Sequence, residues 1–395
     1  MTDEVAAIVL AGGQGTRLFP LTQSRCKPAV SFGGRYCLVD IPISNALNSD
    51  IREIYVIAQY FASDLNAHIA ATYQADLKYL CPEETTGKKV WFQGTADAVR
   101  QNCDHLAKSS ARYFLILSGD QLYNIDFRTI LSFAKKKDAD LVIASLLVDE
   151  PEAKRMGIMK MDAEGRILDF VEKPKEKAVL DRLRSPENKY VGSMGIYVFK
   201  REALFHLLQQ EGNDFGHHLI PCACKNGKTF CFLYDGYWED IGTVASYYNA
   251  SLALIEQNYC LNTYDEKNPI RQEPDFLPSP KIKNTRIVDA LIGDGSLIEA
   301  EEISHSVIGV RCSIKKGTVI RDSIVLGNTS YKPSFSIGKN CLIQKAIIDQ
   351  HTTIGNQVRL VNEKDLSTFD GDGIYIRDGI IIVTTGTELP DGFVL

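Results

Sequence analysis

Two hydrophobic rhythms divide the chain. Through residues 1–260, continuous apolar runs alternate with helical stretches. Val5–Leu10 (VAAIVL) has no polar position, and similar runs occur at Glu53–Ala58, Tyr113–Leu117 and Leu141–Leu147. A strand that is apolar on both faces suits a parallel sheet covered on both sides. Asp97–Ala107 and Arg128–Lys136 carry helical patterning between such runs. Strand, helix, strand with short links predicts an α/β fold with a doubly wound, mostly parallel, Rossmann-like sheet. Ligands in such sheets sit at the carboxyl ends of strands, so chemistry is sought just after each apolar run.

Residues 261–283 lose this pattern. Pro269, Pro274, Pro278 and Pro280 crowd them, which reads as a linker. Over residues 284–395 aliphatic side chains recur every six positions: Ile292 and Ile298; Ile308, Ile314, Ile320 and Leu326; Ile337 and Ile343; Ile354 and Leu360. A six-residue period fits a left-handed parallel β-helix, each flat face burying one aliphatic side chain per strand. An ordinary small sheet would show period two instead. The breaks at 299–307 and 327–336 are expected to be bulging loops, and Ile374–Val383 to form strands that cap the helix end.

Composition narrows the function. With 45% hydrophobic and 24% charged residues, the chain is neither disordered nor fibrous. Forty-four Lys+Arg against 50 Asp+Glu give a net charge of −6, which argues against nucleic acid or an anionic membrane as partner. An anionic ligand must then be held by a local cluster of cations. The ten cysteines include no C-x-x-C pair and no zinc-finger spacing, and read as reduced thiols. With a polar, acidic start and no long apolar run, the cytoplasm is the expected compartment.

The most informative segment, Leu10-Ala-Gly-Gly-Gln-Gly-Thr-Arg-Leu18, directly follows the first apolar run. Glycines at 12, 13 and 15 allow a phosphate to approach the backbone closely, where free N–H groups hold anionic oxygens. Arg17, and Lys27 ahead of Pro28, add cations. Leu18 stands where a dinucleotide fingerprint needs its third glycine, and no Gly-Lys-Ser/Thr follows for a Walker A loop.

This segment with Lys27-Pro28 resembles the signature of the sugar-nucleotide pyrophosphorylases. Trp91–Gln101 (WFQGTADAVRQ), Ser118–Tyr123 (SGDQLY), Phe170–Pro174 (FVEKP), Ser193–Phe199 (SMGIYVF), Asp214-Phe-Gly216 and Tyr237–Thr243 (YWEDIGT) extend the resemblance over nearly the whole chain. With the C-terminal repeats they are most similar to the glucose-1-phosphate adenylyltransferases, in their plant and cyanobacterial branch. The resemblance implies an enzyme that takes ATP and glucose 1-phosphate to ADP-glucose and pyrophosphate, the first committed step of glycogen or starch synthesis. The sugar phosphate would attack the α-phosphorus in line, without a protein nucleophile.

Residue roles follow from the resemblance. Arg17, Lys27 and Asp120 would be catalytic, the two cations neutralising the triphosphate. Asp120, in the turn after Tyr113–Leu117, and Asp240 would hold Mg²⁺ through carboxylate oxygens. Leu10, Ala11, Gly12, Gly13, Gly15 and Thr16 would bind the nucleotide, with Glu83, Glu84, Trp91, Gly94, Thr95 and Ala96 around the adenine and Gly94 small enough for the base to lie on the backbone. Where many relatives have Gln, Glu83 or Glu84 would accept from the adenine amine and repel a uracil or thymine carbonyl. Gly157, Glu172, Lys173, Ser193, Met194, Gly195 and Trp238 would form the glucose 1-phosphate pocket. Relatives are switched by phosphorylated metabolites and assemble as homotetramers. Positions basic in relatives are Ser24, Ser31 and Thr385 here, leaving Arg25, Lys364 and Arg377 as effector contacts and implying weak or altered activation. Three alternatives stay open: another nucleotide, such as UTP, dTTP or GTP; acetyl transfer by the β-helix; and a non-catalytic regulatory subunit.

Overall fold

The computed structural model describes residues 4–73, 77–82, 84–85, 88–89, 91–256, 261–272, 276–328 and 337–395, with the backbone alone at 84–85 and 88–89. The strand Val5–Leu10 lies inside a nine-stranded sheet. It pairs in parallel with Glu53–Ile57 on one side and Tyr113–Ser118 on the other, and Leu77–Leu80 continues the parallel set beyond Glu53–Ile57. Val5, Ala7 and Val9 enter one hydrophobic cluster and Ala6 and Ile8 another, so alternate side chains serve two covered faces.

Beyond Tyr113–Ser118 the direction reverses. The long strand Tyr190–Lys200 runs antiparallel to it from Tyr197 to Lys200, and antiparallel to Gly157–Met161 at Val191 and Gly192. Residues 193–196 face no strand on that edge, and Gly195 takes φ 73° there. This gap at the carboxyl end of Tyr113–Ser118 is where a pocket opens. Ile167–Glu172 pairs with Gly157–Met161, and Leu141–Val148 lines the other edge of the long strand.

The predicted helix over 128–136 is Phe127–Lys137, burying Ile130, Leu131 and Ala134. The one predicted over 97–107 is two, Thr95–Gln101 and Cys103–Ala107. At the break, the Asn102 side chain donates to the Ala98 carbonyl at 2.8 Å, competing with the backbone ladder.

In the C-terminal part the six-residue set stacks as anticipated. Ile298 lies over Ile314, Ile320 over Ile343, and Ile343 over Leu360, all in parallel register and buried. The expected loop at 299–307 is instead largely strand, Glu302–Ile308, paired with Arg286–Ile292 and with two strands of the next coil. It turns the corner at His305 (φ 44°), beside like corners at Asp289, Asp322 and Lys345, rather than leaving the coil. Most of the break at 327–336 lies outside the described residues. Ile374–Arg377 and Ile380–Val383 form a hairpin whose second strand stacks on Ala346–Ile348. The coils dock on the first domain: Val307, Ile324, Ile347 and Ile382 share its core cluster, and Arg25 pairs with the buried Asp349 at 3.0 Å. Among the described residues no helix is long and apolar enough to cross a membrane.

Candidate active site

A cavity of about 630 Å³ opens at the carboxyl ends of the parallel strands. Its first wall is the loop after Val5–Leu10. The Ala11 N–H donates to Ile57 O at 2.8 Å and the Gly119 N–H to Leu10 O at 2.9 Å, pinning the loop between both neighbouring strands. Gln59 braces it, donating to Gly12 O at 3.0 Å and accepting from the Phe92 N–H at 2.9 Å. Leu10, Ala11, Gly12 and Gly13 line the cavity, and a side chain on Gly13 would meet only open space. Gly15, at φ 66°, leaves no room for a Cβ beside Thr22 and Lys27.

Several anticipated nucleotide contacts lie elsewhere. Gly15 and Thr16 do not line this cavity; Thr16 faces another, of about 750 Å³, between the domains, and Arg17 lies between that one and the pocket beside Asp240. Trp91 is 39% exposed and stacks on Tyr60 with ring centroids 4.9 Å apart, so Tyr60 forms the wall in its place. Ala96 is buried behind the wall. Gly94 lines the cavity, but its missing side chain has another cause: a Cβ would lie 2.3 Å from Asn213 O, which accepts the Ala96 and Asp97 N–H groups at 2.9 and 3.1 Å. Thr95 lines the cavity and donates to Asp214 at 3.1 Å. Glu83 lies outside the described residues, as does the side chain of Glu84.

At the floor, Gln121–Tyr123 pairs antiparallel with Trp238–Asp240, register Gln121 to Asp240. This brings Asp120 and Asp240, remote in sequence, together around Lys27. Lys27 Nζ is 2.5 Å from Asp120 Oδ2 and 3.9 Å from Asp240 Oδ1, and Ser118 Oγ also bonds Asp120. Burial pushes the Asp240 carboxyl up, and the charge of Asp120 pushes it further, against the pull of Lys27, Arg17 and Arg155. Two converging carboxylates supply the hard oxygen donors that suit a divalent cation such as Mg²⁺.

A smaller pocket of about 240 Å³ continues from the floor into the gap of the sheet. Gly157, Glu172, Lys173, Ser193, Met194, Gly195 and Trp238 all line it. Glu172 fits between two glycines: a Cβ on Gly157 or on Gly216 would come within 2.7 Å of its Oε2. Lys173 pairs with Glu172 at 2.9 Å and sits at φ 47°. The sequence reading missed Gln121, whose amide donates to Met194 O at 2.7 Å. Its Oε1 and the Nε1 of Trp238 are buried and find no partner among the described residues, one acceptor and one donor in a pocket wall. Arg155, Glu152 and Glu239 were missed too; Arg155 lies in a run of charged residues, Glu150 to Arg155, that gives no sign of facing inward.

Of the proposed effector contacts, Arg25 is half-buried and pairs with the buried Asp349 at 3.0 Å. Arg377 lines the interdomain cavity, lying over the Phe19 ring and 2.5 Å from Asp370. Lys364 is exposed.

Residues 6–257 match the nucleotidyl transferase family. The chain belongs to that family. Residues 275–394 match the GLGC left-handed parallel β-helix domain, so this nucleotidyl transferase carries the second domain that its repeats imply. The transferase is also similar to a chloroplastic/amyloplastic glucose-1-phosphate adenylyltransferase small subunit of Triticum aestivum, at 38% identity over 100% of this chain and 92% of the relative.

Proposed function

We propose that this transferase moves the AMP group of ATP to α-D-glucose 1-phosphate, releasing pyrophosphate and forming ADP-glucose for glycogen or starch synthesis. The observation that carries this reading is the convergence of Lys27, Asp120 and Asp240 where the larger cavity meets the smaller one. The nucleotide occupies the larger cavity and the sugar the smaller. Their phosphates meet at the junction, so an oxygen of glucose 1-phosphate bonds to the α-phosphorus as the bond to pyrophosphate breaks. Lys27 and Arg17 offset the charge of the triphosphate, and Lys173 that of the sugar phosphate. Glu172, Gln121 and Trp238 orient the hydroxyls through one acceptor set and one donor. Asp120 and Asp240 would hold Mg²⁺, which offsets phosphate charge when bound. Adenine preference rests on the relative's activity and on Glu83 or Glu84 accepting from the adenine amine.

Assembly of like chains, a homotetramer, is part of the same reading. Among the described residues the coil strand Arg286–Ile292 pairs on one edge only, and its Ile287 and Val288, like Leu297, are exposed. The free described cysteines suit a reducing compartment, the cytoplasm. An anionic effector would use the interdomain cavity at Arg377, with weak activation. The test is pyrophosphate release from purified protein with Mg²⁺, glucose 1-phosphate and ATP, UTP, dTTP or GTP in turn. ATP alone should support rapid release with ADP-glucose as product. Equal use of UTP, or no release with any nucleotide, would contradict the proposal.

A further inference from the structure

Away from the active cavity, three side chains of metal-ligating type meet. Cys37 Sγ, an Asp40 carboxylate oxygen and a His68 ring nitrogen all lie within 4.8 Å of one another. No other group of three does so among the described residues. They come from three elements: the short strand Tyr36–Cys37, the first turn of the helix Asp40–Asn48, and the helix Ala62–Thr72. We propose that Cys37, Asp40 and His68 bind one Zn²⁺ ion, with water completing the coordination.

The donor set is the first argument. A thiolate, an imidazole and a carboxylate form a borderline-soft set, which suits zinc and not magnesium or calcium. The second is orientation. Asp40 is fully buried, and its carboxylate is fixed by the Cys37 N–H at 2.7 Å on Oδ2 and by the Tyr73 hydroxyl at 2.8 Å on Oδ1. His68 Nε2 already lies 2.8 Å from Asp40 Oδ1. Such outer partners hold a ligand in place before the metal arrives. The third is that the thiol already faces the His68 ring, with which it interacts, besides a 3.7 Å contact to Ala29 O. Tetrahedral zinc places such donors roughly 3.3–3.6 Å apart, so the His68 and Asp40 atoms, now 2.8 Å apart, part by roughly half an ångström as the thiol joins them at the same span. Binding releases the thiol proton, and any proton on His68 Nε2, to water.

The position gives the ion a consequence. The helix bearing His68 follows Gln59 and Tyr60, which wall the nucleotide cavity. The strand bearing Cys37 follows a turn that meets the second domain, where the Val310 N–H donates to Gly34 O at 3.2 Å and Arg35 pairs with Asp294 at 3.3 Å. Zinc would tie the domain junction to the nucleotide wall. None of the three ligands lines the active cavity, so the proposal stands independently of the reaction assigned to it.

The test uses full-length protein stripped of metal and titrated with Co²⁺. One equivalent should produce a thiolate-to-cobalt charge-transfer band that Zn²⁺ abolishes. Asp120 and Asp240 offer only oxygens and cannot give that band. Cys37→Ser should lose it while keeping pyrophosphate release. No band in the unaltered protein, or a band that survives Cys37→Ser, overturns the proposal. A second measurement needs no variant: one equivalent of Zn²⁺ should slow alkylation of Cys37 at least ten-fold, read by peptide mass spectrometry, and an unchanged rate overturns it too.

Discussion

Burial and the charge of Asp120 both push the Asp240 carboxyl above its usual range, and the three nearby cations do not cancel them. The folded protein therefore binds this proton more tightly than the unfolded chain does. By linkage, stability rises as pH falls through the raised value, and at neutral pH the ionised carboxylate is a net cost to the fold. Asp240→Asn is expected to raise the thermal midpoint while lowering turnover by about 100-fold or more. Melting curves and pyrophosphate release check the two halves, and a lowered midpoint would show that Asp240 is fully compensated. At this scale the sequence was read unevenly. Lys27, Asp120 and Asp240 stood out because each sits in a recognisable segment. Gln121 did not, although it is the next residue after Asp120, because an amide after a turn carries no signal until its unpaired oxygen is seen in a pocket wall.

Among the elements, the gap in the central sheet decides where a sugar can bind. The strand Gly157–Met161 begins at a glycine because Phe170 and Glu172 occupy the space a side chain would take. Gly157→Ala should push Glu172 out of position and raise the KM for glucose 1-phosphate about ten-fold, the loss of roughly 1.4 kcal/mol of binding, with little change in the KM for ATP. An equal rise in both would mean that the whole site had shifted. Apolar runs revealed the parallel strands, and the six-residue period revealed the coil interior, because both are set by burial. The corner strand Glu302–Ile308 was hidden. Its course depends on residues such as His305 entering the left-handed region, a backbone choice that leaves no periodic trace.

For the whole molecule, Arg25 and the buried Asp349 lie far apart in the chain yet pair across the two domains. Neither motif nor period could show this, since docking depends on which surface of each domain is complementary. Arg25→Ala would leave the Asp349 carboxylate buried without a counter-charge and should cost about 3–5 kcal/mol. Adding Asp349→Asn to that variant should recover a large part of the loss. Denaturant unfolding of the two variants checks this, and an unchanged Arg25→Ala would show that water already satisfies Asp349. An activation defect in an Arg25 variant is accordingly expected to trace to this junction rather than to effector contact.

The account turns on direct transfer between two bound anions, with no side chain bonding to phosphorus. Its most direct test is the stereochemistry at the α-phosphorus, using one diastereomer of ATP carrying sulfur on that phosphorus, with glucose 1-phosphate. Formation of the ADP-glucose thio-analogue with inverted configuration is the predicted result. Retention would require two displacements through a covalent protein intermediate, and would contradict the account.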